Sequence, residues 1–392
     1  MRPPSYEGRG ITNLMAHLGA ALGAPAGPCP GLDPEVGLEL DGAETVILWV
    51  IDGLGAEFLA QRPGSALAED WLATLDSVFP ATTSAAITTF MTGQPPRGHG
   101  VTGWNMYVHE LGAVTAWLPF GPRAGRLQWV DGVPGAEALL QRDSLLDRLA
   151  AEAHVVQPQW LIDTPYTRAI AGERARRHGY EDLAGLVERV RALATEGGGR
   201  RRFVYAYWPD LDALCHQHGV ASAPAAEHFA ALDAAYRRLR EALRGTAARL
   251  VVTADHGLVD TAPERTIYLE DHPELAETLA LPLCGEPRAA YCYLRPGAEA
   301  AFDAYIRERL GEVCELHTAQ GLVEAGWFGP APEHPQLRRR IGDRVVLPAA
   351  GWVLKDRLQG EEPFRQVGVH GGASPAEDEP DPQAGQGQAG KH

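Results

Sequence analysis

Five places in this 392-residue chain carry side chains suited to holding a divalent metal or attacking an electrophile. In YWPDLDALCHQHG (207–219), Asp212 and His216 stand four apart, so one helical turn presents both on the same side. Asp210 and His218 lie close by as rivals. TADHG (253–257) sets Asp255 beside His256, and Asp52 closes the apolar run of WVIDGLG. FPATTSAAITTFMTGQPPRGHG (79–100) offers three neighbouring hydroxyls, Thr82, Thr83 and Ser84, before an alanine-rich stretch able to start a helix. His370 sits among glycines in GVHGGAS (368–374).

Each feature also has a plain structural reading. An Asp or a hydroxyl at a helix start caps the free N–H groups, and a loop histidine needs no special role. Together they point further. Mixed Asp/His ligation suits Zn²⁺, and two such ions stabilise the attacking and leaving oxygens of an in-line displacement. A hydroxyl at a helix N-terminus stands where the dipole and free N–H groups favour an anion.

The elements that must position these groups are legible as short apolar runs. TVILWVID (45–52), FVYAYWPD (203–210) and RLVVTADHG (249–257) are too short for independent helices and too continuously apolar for a one-faced sheet. Such runs are expected as buried parallel strands. Helical periodicity is expected between them over DSLLDRLAAEA (143–153), YEDLAGLVERVRALATE (180–196) and AAEHFAALDAAYRRLREALRG (225–245). The alternation predicts an α/β fold with a mostly parallel central sheet flanked by helices, in which ligands bind beyond the carboxyl ends of the strands. Asp52 and the Asp255–His256 pair occupy such ends. The organisation expected is a core of residues 1–262 and 346–373, a smaller α+β cap at 263–345, and a disordered polar tail at 374–392.

Composition narrows the classes. At 45% hydrophobic the chain can build one large core or two ordinary ones, and the net charge of -16 disfavours a nucleic-acid polymer or an anionic membrane as partner. A phosphate ligand would be repelled at long range unless positive charge is concentrated locally, which bound metal ions supply. Arg9, Asn13 and His17 interrupt any signal-peptide core, and no apolar run is long enough to span a bilayer. Five cysteines without CxxC spacing argue against a disulfide framework or a thiolate zinc site, so a cytoplasmic setting is expected.

The ordered series VIDG, PATTSAAITTFMTG…HG, DLDALCHQHG, TADHG and VHGG resembles the alkaline phosphatase superfamily, most closely its type I phosphodiesterase/nucleotide pyrophosphatase family, from about residue 45 to 375. The resemblance implies two divalent metals, Zn²⁺ by expectation. Asp52, Thr83, Asp255 and His256 would hold one, and Asp212, His216 and His370 the other. It selects Thr83 as nucleophile, three residues after Pro80, and Asp212 over Asp210 by the Asp-x-x-x-His spacing. Asn105 stands close to a family asparagine that holds the transferring phosphoryl group, displaced by one position and preceded by Trp104. Where the nucleotide pyrophosphatases usually continue Phe-Pro-Asn-His after the nucleophile, this chain has Ser84-Ala85-Ala86-Ile87.

The activity so implied is hydrolysis of a small phosphoester, a nucleotide or similar, through a phosphothreonine intermediate. Alternatives are a phosphomonoesterase or phosphonate hydrolase of the same superfamily, or a non-catalytic metal-binding scaffold. A sulfatase would need a C/S-x-P-x-R motif, and a serine hydrolase a G-x-S-x-G element; the chain has neither.

Overall fold

The computed structural model describes residues 2–124, 134–196, 199–359, 361 and 365–378. Its centre is a sheet of five parallel strands, in spatial order Arg176–Tyr180, Glu152–Pro158, Arg202–Trp208, Thr45–Ile51 and Ala248–Thr253. Thr45–Ile51 is buried along its whole length. Val46, Leu48 and Val50 enter one core and Ile47, Trp49 and Ile51 the other, as the two-residue period of a strand dictates. Helices Ile11–Ala21 and Thr83–Thr92 pack into the first core. Helices Leu183–Thr195 and Ala223–Ala242 cover the second. Burial on both faces is the physical reason the TVILWVI run shows no polar alternation.

The expected helix at 143–153 is only partly present. Leu145–Arg148 makes one turn, and the chain then enters strand Glu152–Pro158. Leu, Ala, Glu and Arg favour a helix locally, but pairing with a strand on each side and burial of Ala153, Val155 and Val156 override that preference. The other two helices form as Leu183–Thr195, capped by the Asp182 side chain on Gly185 N, and Ala223–Ala242, capped by Ser222.

A second, antiparallel sheet of seven strands lies beside the first. Its order is Cys314–Thr318, Arg344–Pro348, Ala289–Cys292, Cys284–Glu286, Asn105–Val108, Ala113–Ala116 and Gly121–Pro122. This layer does not coincide with 263–345: the hairpin at 105–116 joins it through the pairing of Asn105 with Gly285. Its first strand, Asn105–Val108, alternates half-buried and buried residues over only four positions, too few for a local signature. The chain then returns to the core, Val353–Lys355 pairing with Thr266–Tyr268 and Gly368–Val369 with Val259–Asp260.

The expected tail boundary at 374 falls inside ordered structure. Residues Pro375–Asp378 form a short helix, and the buried Glu377 accepts a 2.7 Å bond from Arg288 Nη2 as well as bonds from Gly372 N and the Ser374 hydroxyl. Its backbone carbonyl accepts from Gly257 N at 3.0 Å. Residues 379–392 lie outside the described residues.

Candidate metal centre

Neighbouring strand ends bring the first group together. Asp52 follows Thr45–Ile51 directly, its N–H donating to Trp208 O at 2.9 Å. Asp255 lies two residues beyond Ala248–Thr253, and its Oδ1 accepts from Gly53 N at 3.1 Å and from His256 N at 3.0 Å. Gly53 is required at that corner: it has φ +74°, and a Cβ there would lie 3.1 Å from the Asp212 backbone and 2.7 Å from Leu258. His256 Nε2 then stands 3.4 Å from Asp52 Oδ1 and 3.5 Å from Asp255 Oδ2.

The second group comes from the helix after the adjacent strand and from the returning chain. Asp212 and His216 lie on helix Asp210–His218, with His216 Nε2 3.2 Å from Asp212 Oδ2. Asp210 and His218, their rivals by spacing, are exposed. His370 follows Gly368–Val369, and its ring lies 5.1 Å from that of His216 and 3.9 Å from that of His256, centroid to centroid. The two groups therefore adjoin through His370.

All three histidines are oriented alike. Nδ1 meets a backbone carbonyl in each: Gly368 O at 2.7 Å for His216, Gly257 O at 3.1 Å for His256, Ala81 O at 3.1 Å for His370. A carbonyl only accepts, so Nδ1 carries the proton and Nε2 presents its lone pair, the tautomer that metal-binding histidines use.

The donor set fits divalent cations. Ligand atoms within Asp52, Asp255 and His256, and within Asp212, His216 and His370, lie within 4.8 Å of one another. Asp52 Oδ1, Asp212 Oδ1 and Asp255 Oδ2 are buried without a hydrogen-bond partner among the described residues. Such oxygens are costly unless a cation takes them. Burial and the facing Asp255 and Asp212 carboxylates hold the Asp52 carboxyl well above its ordinary value, though the Tyr207 hydroxyl donates to its Oδ2. Burial raises Asp255 as well. Burial alone would also raise Asp212, but His216 beside it holds it low. Burial and His256 push His370 well below the usual imidazole range. Two ions would relieve this crowding of carboxylates.

Thr83 opens helix Thr83–Thr92, and its Oγ1 lies 3.1 Å from His256 Nε2. Thr82, the residue before it, donates its hydroxyl to Glu286 Oε1 at 2.6 Å and so points elsewhere. A cavity of about 620 Å³ opens over Thr83, Asp212, His216 and His370, and Asn105 and Trp104 form part of its wall.

Sequence reasoning passed over Glu286, which lines the same cavity. It is buried, accepts from Thr82 and from Trp104 N at 2.6 Å, and burial raises its carboxyl to about 7. The LCGEPR segment carries no motif that would single it out. Tyr207 was likewise hidden within an apolar strand.

The sequence of residues 46–373 matches the family described as type I phosphodiesterase/nucleotide pyrophosphatase, and the chain belongs to that family of phosphoester hydrolases, whose members depend on metal ions. No curated protein sequence matches the chain. Among solved structures, murine ectonucleotide pyrophosphatase/phosphodiesterase 5 is similar with a TM-score of 0.64 and 16% identity, covering 85% of this chain and 86% of that one. An inactive form of that protein in complex with AMP gives a TM-score of 0.63 at 16% identity, with coverage of 85% and 86%. Phosphonoacetate hydrolase from Sinorhizobium meliloti, in complex with phosphonoformate, gives 0.59 at 18% identity, with coverage of 84% and 87%. Likeness at this identity establishes the fold: a parallel sheet flanked by helices, with an antiparallel sheet beside it. No helix among the described residues is long and apolar enough to cross a membrane.

Proposed function

We propose that this chain is a two-metal phosphodiesterase or pyrophosphatase acting on a small phosphoester, with Thr83 as its nucleophile. The observation that carries the reading is that two Asp/His groups adjoin at His370, with the helix-start hydroxyl of Thr83 3.1 Å from His256 Nε2 and lining the same cavity as the second group. Asp52, Asp255, His256 and Thr83 would hold one Zn²⁺, and Asp212, His216 and His370 the other. When bound, the ions lower the pKa of a coordinated hydroxyl and neutralise phosphoryl oxygens.

Thr83 Oγ1 attacks phosphorus, losing its proton, as the bond to the leaving oxygen breaks; water then cleaves the phosphothreonine. The start of helix Thr83–Thr92 favours the anion that develops there. Asn105, on the cavity wall, is assigned to a phosphoryl oxygen. A cytoplasmic setting belongs to the same reading, supported by five free, buried cysteines.

A phosphonate hydrolase is the second reading. It uses the same centre and is supported by the likeness to an enzyme crystallised with phosphonoformate. The test compares a nitrophenyl phosphodiester of a nucleotide with nitrophenyl phosphate, in wild type and Thr83→Ala, before and after chelation. The diester should be preferred, and both chelation and Thr83→Ala should reduce turnover by roughly a thousandfold or more. Preference for the monoester would overturn the diesterase reading, and full activity in Thr83→Ala would remove Thr83 from its role.

A further inference from the structure

Helix Thr83–Thr92 begins unlike the other helices that follow a hydroxyl residue. Where Ser or Thr precedes a helix elsewhere among the described residues, its hydroxyl accepts from a first-turn N–H: Ser65, Ser144, Thr164, Ser222 and Thr318 all do so. Thr82 holds the same position, with the extended backbone that suits a cap (φ -138°, ψ 147°), yet it makes no capping bond. Its hydroxyl donates instead to Glu286 Oε1 at 2.6 Å. The N–H groups of Thr83, Ser84 and Ala85 have no acceptor within the helix and none elsewhere among the described residues.

Stability does not explain this open start. A capping hydroxyl strengthens a helix and satisfies a buried donor, so buried N–H groups left uncapped are unfavourable unless something else accepts from them. Thr83 is the first residue of the same turn, and its Oγ1 stands 3.1 Å from His256 Nε2. A phosphoryl group on that hydroxyl brings anionic oxygens to these N–H groups.

Glu286 holds the arrangement from the antiparallel layer. It ends strand Cys284–Glu286 and is 7% exposed. The same Oε1 accepts at 2.6 Å from the N–H of Trp104, the residue before Asn105. Gly371, next to His370, packs so closely that a Cβ there would lie 2.5 Å from Glu286 Cβ. One side chain thus touches the segments that carry Thr83, Asn105 and His370.

Resting on the phosphoester reading above, we propose that Glu286 is a positioning residue of this centre. It draws the Thr82 hydroxyl off the helix start, which keeps the first-turn N–H groups open for the substrate's phosphoryl oxygens, and it anchors the Asn105 segment beside them. In this role it touches no reacting atom.

The test uses the metal-loaded full chain, turnover of the nitrophenyl phosphodiester of a nucleotide, and calorimetric binding of inorganic phosphate. In Glu286→Ala the freed Thr82 hydroxyl caps the helix. Both kcat/KM and phosphate affinity should then fall about fivefold to tenfold or more, at unchanged metal content. Thr82→Val alone has no hydroxyl to cap with, and should stay within about twofold of wild type. Adding Thr82→Val to Glu286→Ala should restore at least about threefold of both quantities. Glu286→Gln, whose amide oxygen can accept the same two bonds, should keep most of both.

A merely structural role would not give the rescue by Thr82→Val. A double variant no better than Glu286→Ala would overturn the proposal, as would a loss of about tenfold in Thr82→Val. Glu286→Gln as low as Glu286→Ala, or metal loss in Glu286→Ala, would overturn it too. If Glu286→Ala does not fold, Thr82→Val and Glu286→Gln decide the matter, and a tenfold loss (about that or more) in either one counts against the role. Failure of the hydrolase reading would look different: wild type inert toward the ester while the pattern of phosphate affinities persists.

Discussion

The two ligand groups differ more in their surroundings than in their chemistry. The side chains of Asp255 and His256 are 0% exposed and that of Asp52 is 4% exposed, whereas Asp212 and His216 reach 12% and 15% and face the cavity with His370. The first group is set by two strand ends hydrogen-bonded through Gly53. The second hangs on one helical turn and a returning chain end. On the two-metal reading proposed above, the enclosed group would retain its ion and the more open one would meet the substrate.

The largest effect should follow from Asp255→Ala. It leaves Asp52 and His256 without their bridging carboxylate, so hydrolysis should fall by more than about a thousandfold and metal content by about one ion per chain. Elemental analysis beside His216→Ala sharpens the contrast, because each variant should retain the ion of the other group. If both variants lose both ions, the division into two groups is wrong.

Stepwise chelation tests the same contrast without mutation. Activity should vanish with the first ion removed, from the cavity-facing group, while most of the thermal stabilisation persists until the second leaves. A single coincident loss of activity and stability would erase the distinction.

Glu377→Ala strands the buried Arg288 and loosens the chain behind His370. Breaking a buried pair costs about 3–5 kcal/mol, and a support of this kind is worth roughly 10–100-fold in metal affinity. That loss should fall on the cavity-facing ion, as read by titration of the metal-free protein. An equal loss at both sites would show that the support is not local.

The smallest effect concerns Glu286 and pH. Its folded pKa of about 7 lies above the ordinary 4.5, so the folded state holds the proton longer than the unfolded state. The stability it contributes is complete below about pH 4.5 and is lost as pH rises to about 7. Glu286→Gln keeps the oxygen that accepts from Thr82 and removes the loss. The metal-free variant should therefore match wild type at pH 4 and exceed it by about 1–3 kcal/mol at pH 8. Denaturant titrations at both pH values decide it, and parallel curves would refute the assignment.

What could be read from sequence follows burial. Thr45–Ile51 and Arg202–Trp208 announced themselves because two covered faces leave an unbroken apolar run, and the edge strand Ala248–Thr253 reads alike although its residues are mostly only half-buried. Their ends carry Asp52 and Asp255, and helical spacing paired Asp212 with His216. Arg176–Tyr180 reads RRHGY, an edge strand whose exposed arginines hide it. Glu152–Pro158 is disguised by the helix-forming residues before it. Glu286 and Lys355 come to the cavity through pairings such as Gly285 with Asn105, across a separation no local pattern records.

The route by which His370 reaches the centre also imposes an order in time. A chain emerging from the ribosome presents Asp52, Asp255 and His256 together once the sheet strands have been made. His370 and its Glu377 support come about a hundred residues later, several seconds at ~5–20 residues per second. On the two-metal reading, the first group's ligands would be available to an ion while the segment carrying His370 is still being synthesised. The second group, and the His370 ring that stacks on His256, would be completed only when that returning segment docks.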